Sequence, residues 1–561
     1  MRDFAAIARQ YAEDVVSGEV LACRYVQLAA ERHLADLEAQ AADDFVFRFD
    51  EDAAYLACTI IELFPHTKGK WARNSEKLVM EPWQVFITAS VFGWLRKADG
   101  LRRFRVVYIE VPRKNGKSLW SSGVALYMLA ADGEAGAEVY SGATTEAQAK
   151  IVFEASKKMA KATPDYLDAF GVEVMASNLS IPADGSKMEA VIGKPGDGSS
   201  PSFAVVDEYH EHKTDELFDT MWTGMGAREQ PLMWTITTAG SNTAGPCYAL
   251  HGSVVKMLEG TIPNDELFGI IYTIDEGDDW TSEEALRKAN PNYGVSVSAT
   301  FLEGKVRDAQ QSSRKQNIVK TKHLNIWVGA RTAWMNMEAW NSSADAPPIE
   351  TFAGEPCWVG VDLASKVDIA STCKLFKRQI EGKKHVYLYW RHYLPEAQTD
   401  LSEKPHYQGW AADGHLTPTD GAVIDHAVIG EDLQEDAETF SVVVVGYDPW
   451  AATQFAVGLE DVRVDTLEIR QTVSMLSEPM KELEALVLDG RLHHTGDPVA
   501  TWGLSNVVAK TDANDNVFPN KEAADNKIDP AIAAIVALAV EQRQDGQAGG
   551  SVYDERGMRE L

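Results

Sequence analysis

Four short runs between residues 104 and 240 constrain this chain most. FRVVYIEV (104–111), AEVYSGAT (137–144), FAVVDEY (203–209) and LMWTITTAG (232–240) are apolar and β-rich, and stretches of helical periodicity separate them. Strands that alternate with helices build a parallel sheet with crossover helices, because parallel neighbours need long return connections. One insertion breaks that rhythm. ASNLSIPADGSKMEAVIG (176–193) reads as a β-hairpin that turns at Asp184–Gly185.

The remaining segments follow from similar patterns. Residues 1–70 carry helical periodicity, as in YVQLAAERHLADLEA, and predict a small helical N-terminal segment. The sheet-bearing region is expected over 71–345. Its last part, 261–345, mixes the strand FGIIYTI with helices as a lid subdomain. ADAPPIETFAGEP (344–356) is the expected domain boundary. A second α/β region follows over 346–545. Its expected strands are WVGVDLA (358–364), ASTCKLFKR (370–378), HVYLYWRHY (385–393) and SVVVVGYD (441–448), and its late apolar helix is DPAIAAIVALAVEQ (529–542). The tail, 546–561, is polar and expected to be flexible. The fold class is α/β in both halves.

A length of 561 residues with 45% hydrophobic content suits several globular domains. No apolar run approaches the roughly 20 residues of a membrane span, and the N-terminus lacks a signal-like apolar region, so a cytosolic protein is expected. Cys23, Cys58, Cys247, Cys357 and Cys373 are scattered without a CxxC pair, which predicts burial rather than disulfides or a zinc site. His493–His494 has no partner at metal-ligand spacing and reads as a loop or hairpin feature. The net charge of −31 excludes a chain that grips nucleic acid through a broad cationic surface, but leaves room for a local channel.

The first constellation of chemical interest is VPRKNGKS, Val111 to Ser118, which fills the last three fixed positions of G-x-x-x-x-G-K-[ST]; Val111 stands where the first glycine would be. Gly116 lets the backbone curl round a phosphate, Lys117 reaches the β- and γ-phosphates, and Ser118 offers a hydroxyl to Mg²⁺. Arg113, Lys114 and Asn115 complete the loop. A strand precedes it and a helix follows, so phosphate would meet a helix N-terminus. Asp207 and Glu208 end the strand FAVVD, where one carboxylate can hold Mg²⁺ and the other activate water. Thr237 and Thr238 end the next apolar strand and can sense phosphate. Gln84, in EPWQ, can hydrogen-bond adenine. Each feature also has a plainer reading: a basic loop, an acidic pair capping a strand, a Thr-rich strand end, a surface glutamine.

The second constellation lies beyond residue 346. Asp362 follows one buried strand, Asp448 ends another and Asp529 opens an apolar helix. Carboxylates so placed can converge on two divalent ions that activate water and stabilise a leaving oxygen. A turn residue, or for Asp529 a helix cap before Pro530, is the alternative for each. Asp368 reads as a turn residue or an auxiliary ligand.

VPRKNGKS, VVDEYH, TTAGS, VGVDLASKVDIAS, GYDPW and NKIDPAIA, in this order over residues 10–545, together resemble the large terminase subunit of tailed double-stranded-DNA bacteriophages. The resemblance implies a P-loop ATPase domain with a parallel central sheet, followed by a ribonuclease-H-like nuclease. It implies phosphate binding by Lys117 and Ser118, and a Mg²⁺ carboxylate at Asp207. Catalysis falls to Glu208, coupling to Thr237, Thr238 and Ala239, and adenine contact to Gln84. Asp362, Asp448 and Asp529 become the nuclease carboxylates, using two Mg²⁺ or Mn²⁺ ions. Arg228, in GAREQP, is the candidate for completing a neighbour's site, and Arg113 is a second candidate acting within its own subunit. Expected partners are duplex DNA, the procapsid portal, a small terminase subunit and further copies in a ring, with no membrane. The expected location is the cytoplasm of an infected bacterium, outside the mature virion. Arg314, Lys315, Lys320 and Lys322 can contact DNA phosphates or form a solvated helix face. A host helicase–nuclease is the rival reading, but the further helicase motifs it requires are not found.

Overall fold

The alternating runs form one eight-stranded sheet in the computed structural model, which describes residues 2–192, 198–243, 245–310, 313–328, 334–363, 368–399, 405–449, 464–512, 515–521 and 526–548. The chain divides into two compact units, Met1–Ser312 with Ile318–Val328, and Ser313–Asn317 with Gly329–Leu561. The division therefore falls near residue 328, before the Pro- and Gly-bearing stretch at 344–356. Of the tail, residues 549–561 lie outside the described residues, as does the side chain of Arg314.

In the first unit the strands are β1 (Val106–Glu110), β2 (Glu138–Ala143), β3 (Glu173–Val174), β4 (Asn178–Ile181), β5 (Ser186–Ile192), β6 (Phe203–Asp207), β7 (Leu232–Thr237) and β8 (Leu267–Ile271). Their order is β8-β1-β7-β6-β2-β5-β4-β3. The pairings from β8 to β5 are parallel, and β4 and β3 are added antiparallel through the expected hairpin. Burial of both faces explains the unbroken apolar runs, since every residue of β6 and β7 is buried. β8 takes in the first four residues of FGIIYTI, which belong to this sheet and not to a separate lid as expected.

The N-terminal helices α1 (Phe4–Ser17), α2 (Arg24–Ala39), α3 (Glu51–Leu63) and α4 (Pro82–Gly93) share one hydrophobic core with the sheet, so residues 1–70 do not form a segment apart. Tyr11 OH meets Tyr272 OH at 3.1 Å, and the buried Arg103 bridges Asp36 (2.6 Å) and Asp265 (2.8 Å).

In the second unit β9 (Pro356–Asp362), β10 (Ala370–Ile380) and β11 (Lys383–Pro395) run antiparallel. Short β12 (Thr417–Thr419) flanks β11, and β13 (Ser441–Tyr447) and β14 (Thr466–Glu468) extend the other side in parallel. β15 (Leu492–His494) also pairs with β11 in parallel, so His493–His494 lies on a strand instead of the expected loop or hairpin. The apolar helix α5 (Asp529–Ala548) lies across β9 and β10. Gly360 on β9 permits this approach, because a Cβ there would collide with the backbone of Ala533 and Ala537. All five cysteines are buried and free. Among the described residues no helix is long and apolar enough to cross a membrane.

Candidate active sites

The parallel strands of the first unit bring their C-terminal ends together, and the loop VPRKNGKS leaves β1 there to enter the helix α6 (Lys117–Ala130). Gly116 has φ +82°, a left-handed conformation that glycine adopts at no steric cost, and Lys114 has φ +74°. Asn115 is buried and faces inward. It accepts from Asn292 N at 2.9 Å and donates to Asn290 Oδ1 at 3.0 Å, so it braces the loop and does not itself face a ligand. Lys117 Nζ donates to the carbonyls of Val111 (2.8 Å) and Pro112 (3.2 Å).

Across the loop, Ser118 Oγ donates to Asp207 Oδ2 at 3.1 Å, and Glu208 N donates to Asp207 Oδ1 at 3.0 Å. Burial and the neighbouring Glu208 raise the Asp207 carboxyl to about 6, against the pull of Lys117. Burial also pushes Glu208 upward, but Lys117, His210, Lys322 and Arg113 together hold it below its ordinary range. Burial lowers the pKa of Lys117. A serine hydroxyl beside a carboxylate that burial makes costly to ionise is a donor set that suits a hard cation such as Mg²⁺. Glu208 has φ +52°, and its Oε2 is buried without a hydrogen bond.

Lys117, Ser118 and Glu208 face a cavity of about 710 Å³ that also takes in Gln84, Arg113, Lys114 and Gly116. Gln84 accepts from Glu81 N at 3.1 Å as part of a helix capping box, and its amide nitrogen lies beside Gly116. Thr237 Oγ1 accepts from His210 N (3.1 Å), and Ala239 N donates to Asn325 Oδ1 (2.6 Å). The structure thus gathers Gln84, Arg113, Lys114, Gly116, Lys117, Ser118, Asp207, Glu208, Thr237 and Thr238 around one end of the sheet.

Arg228 stands elsewhere. Its guanidinium donates to Ser200 O (2.8 Å), Gly136 O (3.0 Å) and Glu134 (3.2 Å), with Glu138 at 3.4 Å, at the end of β2 opposite the phosphate loop. The side chain ties strand starts together, which corrects the expectation of an arginine held out to a neighbour. Lys322 is also corrected from a DNA-facing lysine. It is buried, and its Nζ lies 2.7 Å from His210 Nε2. Lys320 lies over the Trp280 ring at 5.1 Å.

In the second unit Asp362 ends β9, Asp448 follows β13 and Asp529 begins α5. Burial, then the charges of Asp529 and Asp448, drive the Asp362 carboxyl far above its usual range. Burial raises Asp529 to about 6, with Asp368 adding to the shift. Asp529 is the first helical residue and not the cap, since Ile532 N bonds to Ile528 O at 3.0 Å. Gln471 had no sequence signal. It donates through Nε2 to Asp362 Oδ1 (2.9 Å) and through its backbone N to Asp448 Oδ2 (3.2 Å), and so spans two carboxylates far apart in the chain. Asp368 pairs with Lys527 at 2.5 Å. Mutual repulsion between the Asp362 and Asp529 carboxylates and an all-oxygen donor set fit divalent cations. Yet no group of three acidic, histidine or cysteine side chains among the described residues is drawn in closely enough to hold an ion.

Comparison with known proteins gives the family of both halves. The family model "Terminase large subunit, ATPase domain" matches residues 82–256, and "Terminase large subunit, endonuclease domain" matches 261–545. The chain is 48% identical over 356 residues to Protein YmfN of Escherichia coli (strain K12), covering 62% of this chain and 78% of that protein. It is 24% identical over 457 residues to the terminase large subunit of Enterobacteria phage HK97, covering 80% and 88%. The crystal structure of the HK97 large terminase aligns with a TM-score of 0.45 at 22% identity, over 87% of this chain and 99% of that one. With an ATPase domain followed by an endonuclease domain along its length, the chain belongs to the terminase large subunit family, the motor and nuclease of phage DNA packaging.

Proposed function

We propose that the loop from Lys114 to Ser118 cradles the phosphates of ATP, with Lys117 on the β- and γ-phosphates and the adenine beside the Gln84 amide. The observation that carries this reading is the meeting of Lys117, Ser118 and Glu208 in one cavity, with Asp207 3.1 Å from Ser118. Ser118 and Asp207 would hold Mg²⁺. When bound, that ion supplies positive charge to the developing phosphate oxyanion. Glu208, held ionised by the positive charges beside it and lining the cavity, orients a water and takes its proton. Arg113, whose charge already acts on Glu208, adds positive charge within the same subunit. Thr237 and Thr238 carry the change towards residues 322–325.

Asp362, Asp448 and Asp529 would hold Mg²⁺ or Mn²⁺ for phosphodiester cleavage, with Gln471 orienting Asp362 and Asp448. In this reading the work is done in the cytoplasm of an infected bacterium. Copies of the chain form a ring on the portal, drive duplex DNA into a procapsid and cut concatemers, with a small subunit choosing the site. The test uses the full chain with plasmid DNA and Mg²⁺ or Mn²⁺. Lys117→Ala should lose at least about 100-fold of ATP hydrolysis and keep cutting, whereas Asp362→Ala should do the reverse. Wild-type cutting by Asp362→Ala would remove the second site from this account.

A further inference from the structure

His210 is buried two residues beyond Glu208, and each of its ring nitrogens meets a different part of the ATPase site. Lys322 Nζ lies 2.7 Å from Nε2. An ammonium group has three donors and no lone pair, so at that distance Nε2 must be the acceptor. Glu211 Oε1 stands 3.1 Å from the same nitrogen, but an N–H directed at it would also face the closer ammonium hydrogens. The ring is therefore neutral with its proton on Nδ1. Burial agrees with this, since it holds the imidazole below its ordinary range.

That single Nδ1–H has two acceptors within reach, Thr237 Oγ1 at 3.0 Å and Glu208 Oε2 at 3.2 Å. Thr237 Oγ1 donates its own proton to Thr238 O at 2.9 Å and so is free to accept. Glu208 Oε2 is buried and has no hydrogen bond. Lys322 also reaches Thr238 Oγ1 at 3.4 Å, and Asn325 holds Ala239 N at 2.6 Å. One side chain thus joins the carboxylate, the threonine strand end and residues 322–325.

We propose that His210 is a positioning residue for the hydrolytic carboxylate. Its one N–H passes between Thr237 and Glu208, and Lys322 fixes the tautomer that places the proton there. The proposal rests on the reading of Glu208 as the group that activates water. With the N–H on Thr237, the buried Glu208 Oε2 is unheld and the carboxylate can turn to a water in the cavity; with the N–H on Glu208, Oε2 is held and the carboxylate is fixed. Movement of residues 322–325 would then alter hydrolysis without touching nucleotide.

Basal ATPase of the full chain tests this through the two amide replacements of histidine. An asparagine amide falls near the position of Nδ1, and a glutamine amide near that of Nε2. His210→Asn should keep kcat within about 5-fold of wild type. His210→Gln and His210→Ala should lose about 10- to 100-fold in kcat, with KM for ATP changed less than about 3-fold. Lys322→Met should lower kcat in the wild-type background and add less than about 2-fold to His210→Asn, because asparagine has no tautomer to fix. Equal losses in H210N and H210Q, or a change in KM alone, would overturn the proposal. Glu208→Gln separates the two levels: wild-type hydrolysis by E208Q removes the reading of Glu208 and the proposal with it. An inactive E208Q beside equal H210N and H210Q removes the proposal alone.

Discussion

At the scale of single residues, both sites consist of groups whose burial makes their charge costly until a partner arrives. Asp207, Asp362 and Asp529 are all shifted upward, with burial as the leading cause, whereas Glu208 stays low because the charges beside it, Lys117 foremost, outweigh its burial. That contrast separates a ligand-type carboxylate from a base-type one on adjacent residues. Asn115 shows the limit of motif reading, because it sits inside the phosphate loop yet bonds Asn290 and Asn292. Asn115→Ala would leave buried amide groups unpaired, at a cost of about 1–3 kcal/mol. A looser loop should raise KM for ATP more than it lowers kcat. Unchanged KM with normal thermal stability would show that the brace is dispensable.

At the scale of elements, the helices around the sheet enclose several histidines that stay neutral. His33 on α2 accepts from Trp94 Nε1 at 3.1 Å, and burial followed by Arg103 depresses it to about 3. Burial similarly brings His212 and His323 to about 4. The sign of the linkage follows directly. Below pH 6.5 the unfolded chain takes up protons that the folded chain refuses, so stability falls as pH drops from about 6.5 towards the folded values. Each group costs about 1.4 kcal/mol per pH unit in that window. His33→Asn retains an acceptor for Trp94 and does not titrate. Denaturant unfolding at pH 7.5 and pH 5 should therefore show a smaller acid loss, by about 2 kcal/mol, in this variant. An identical loss in both proteins would mean that His33 is not neutral in the fold.

At the scale of the whole molecule, two units carry two chemistries, and the N-terminal helices belong to the core of the first. Val15, Val26, Ile61 and Phe64 on or beside α1 to α3 are fully buried in the same cluster as Val107, Val205 and Ile236 of the sheet. Each such side chain contributes about 1.5–3 kcal/mol by burial, so these four alone contribute about 6–12 kcal/mol, as much as the roughly 5–15 kcal/mol by which a domain is stable. A chain lacking residues 1–64 should be insoluble or devoid of ATPase. A soluble truncation with wild-type hydrolysis would show that these helices are an appendage.

The strands and the chemistry-bearing residue types were legible in the sequence, because apolar runs, Gly116–Lys117–Ser118 and carboxylates at strand ends are local patterns that a short window contains. Tertiary structure alone decided which distant groups complete each site. Gln471 meets Asp362 across 109 residues, and Lys322 meets His210 across 112. It also turned Arg228 into a clamp between strand starts, placed the start of FGIIYTI on the edge of the first sheet and drew residues 1–70 into its core. The physical reason is common to all of them. A side chain's partners are set by which strand edges and helix faces pack together, and residue spacing along the chain carries no record of that packing.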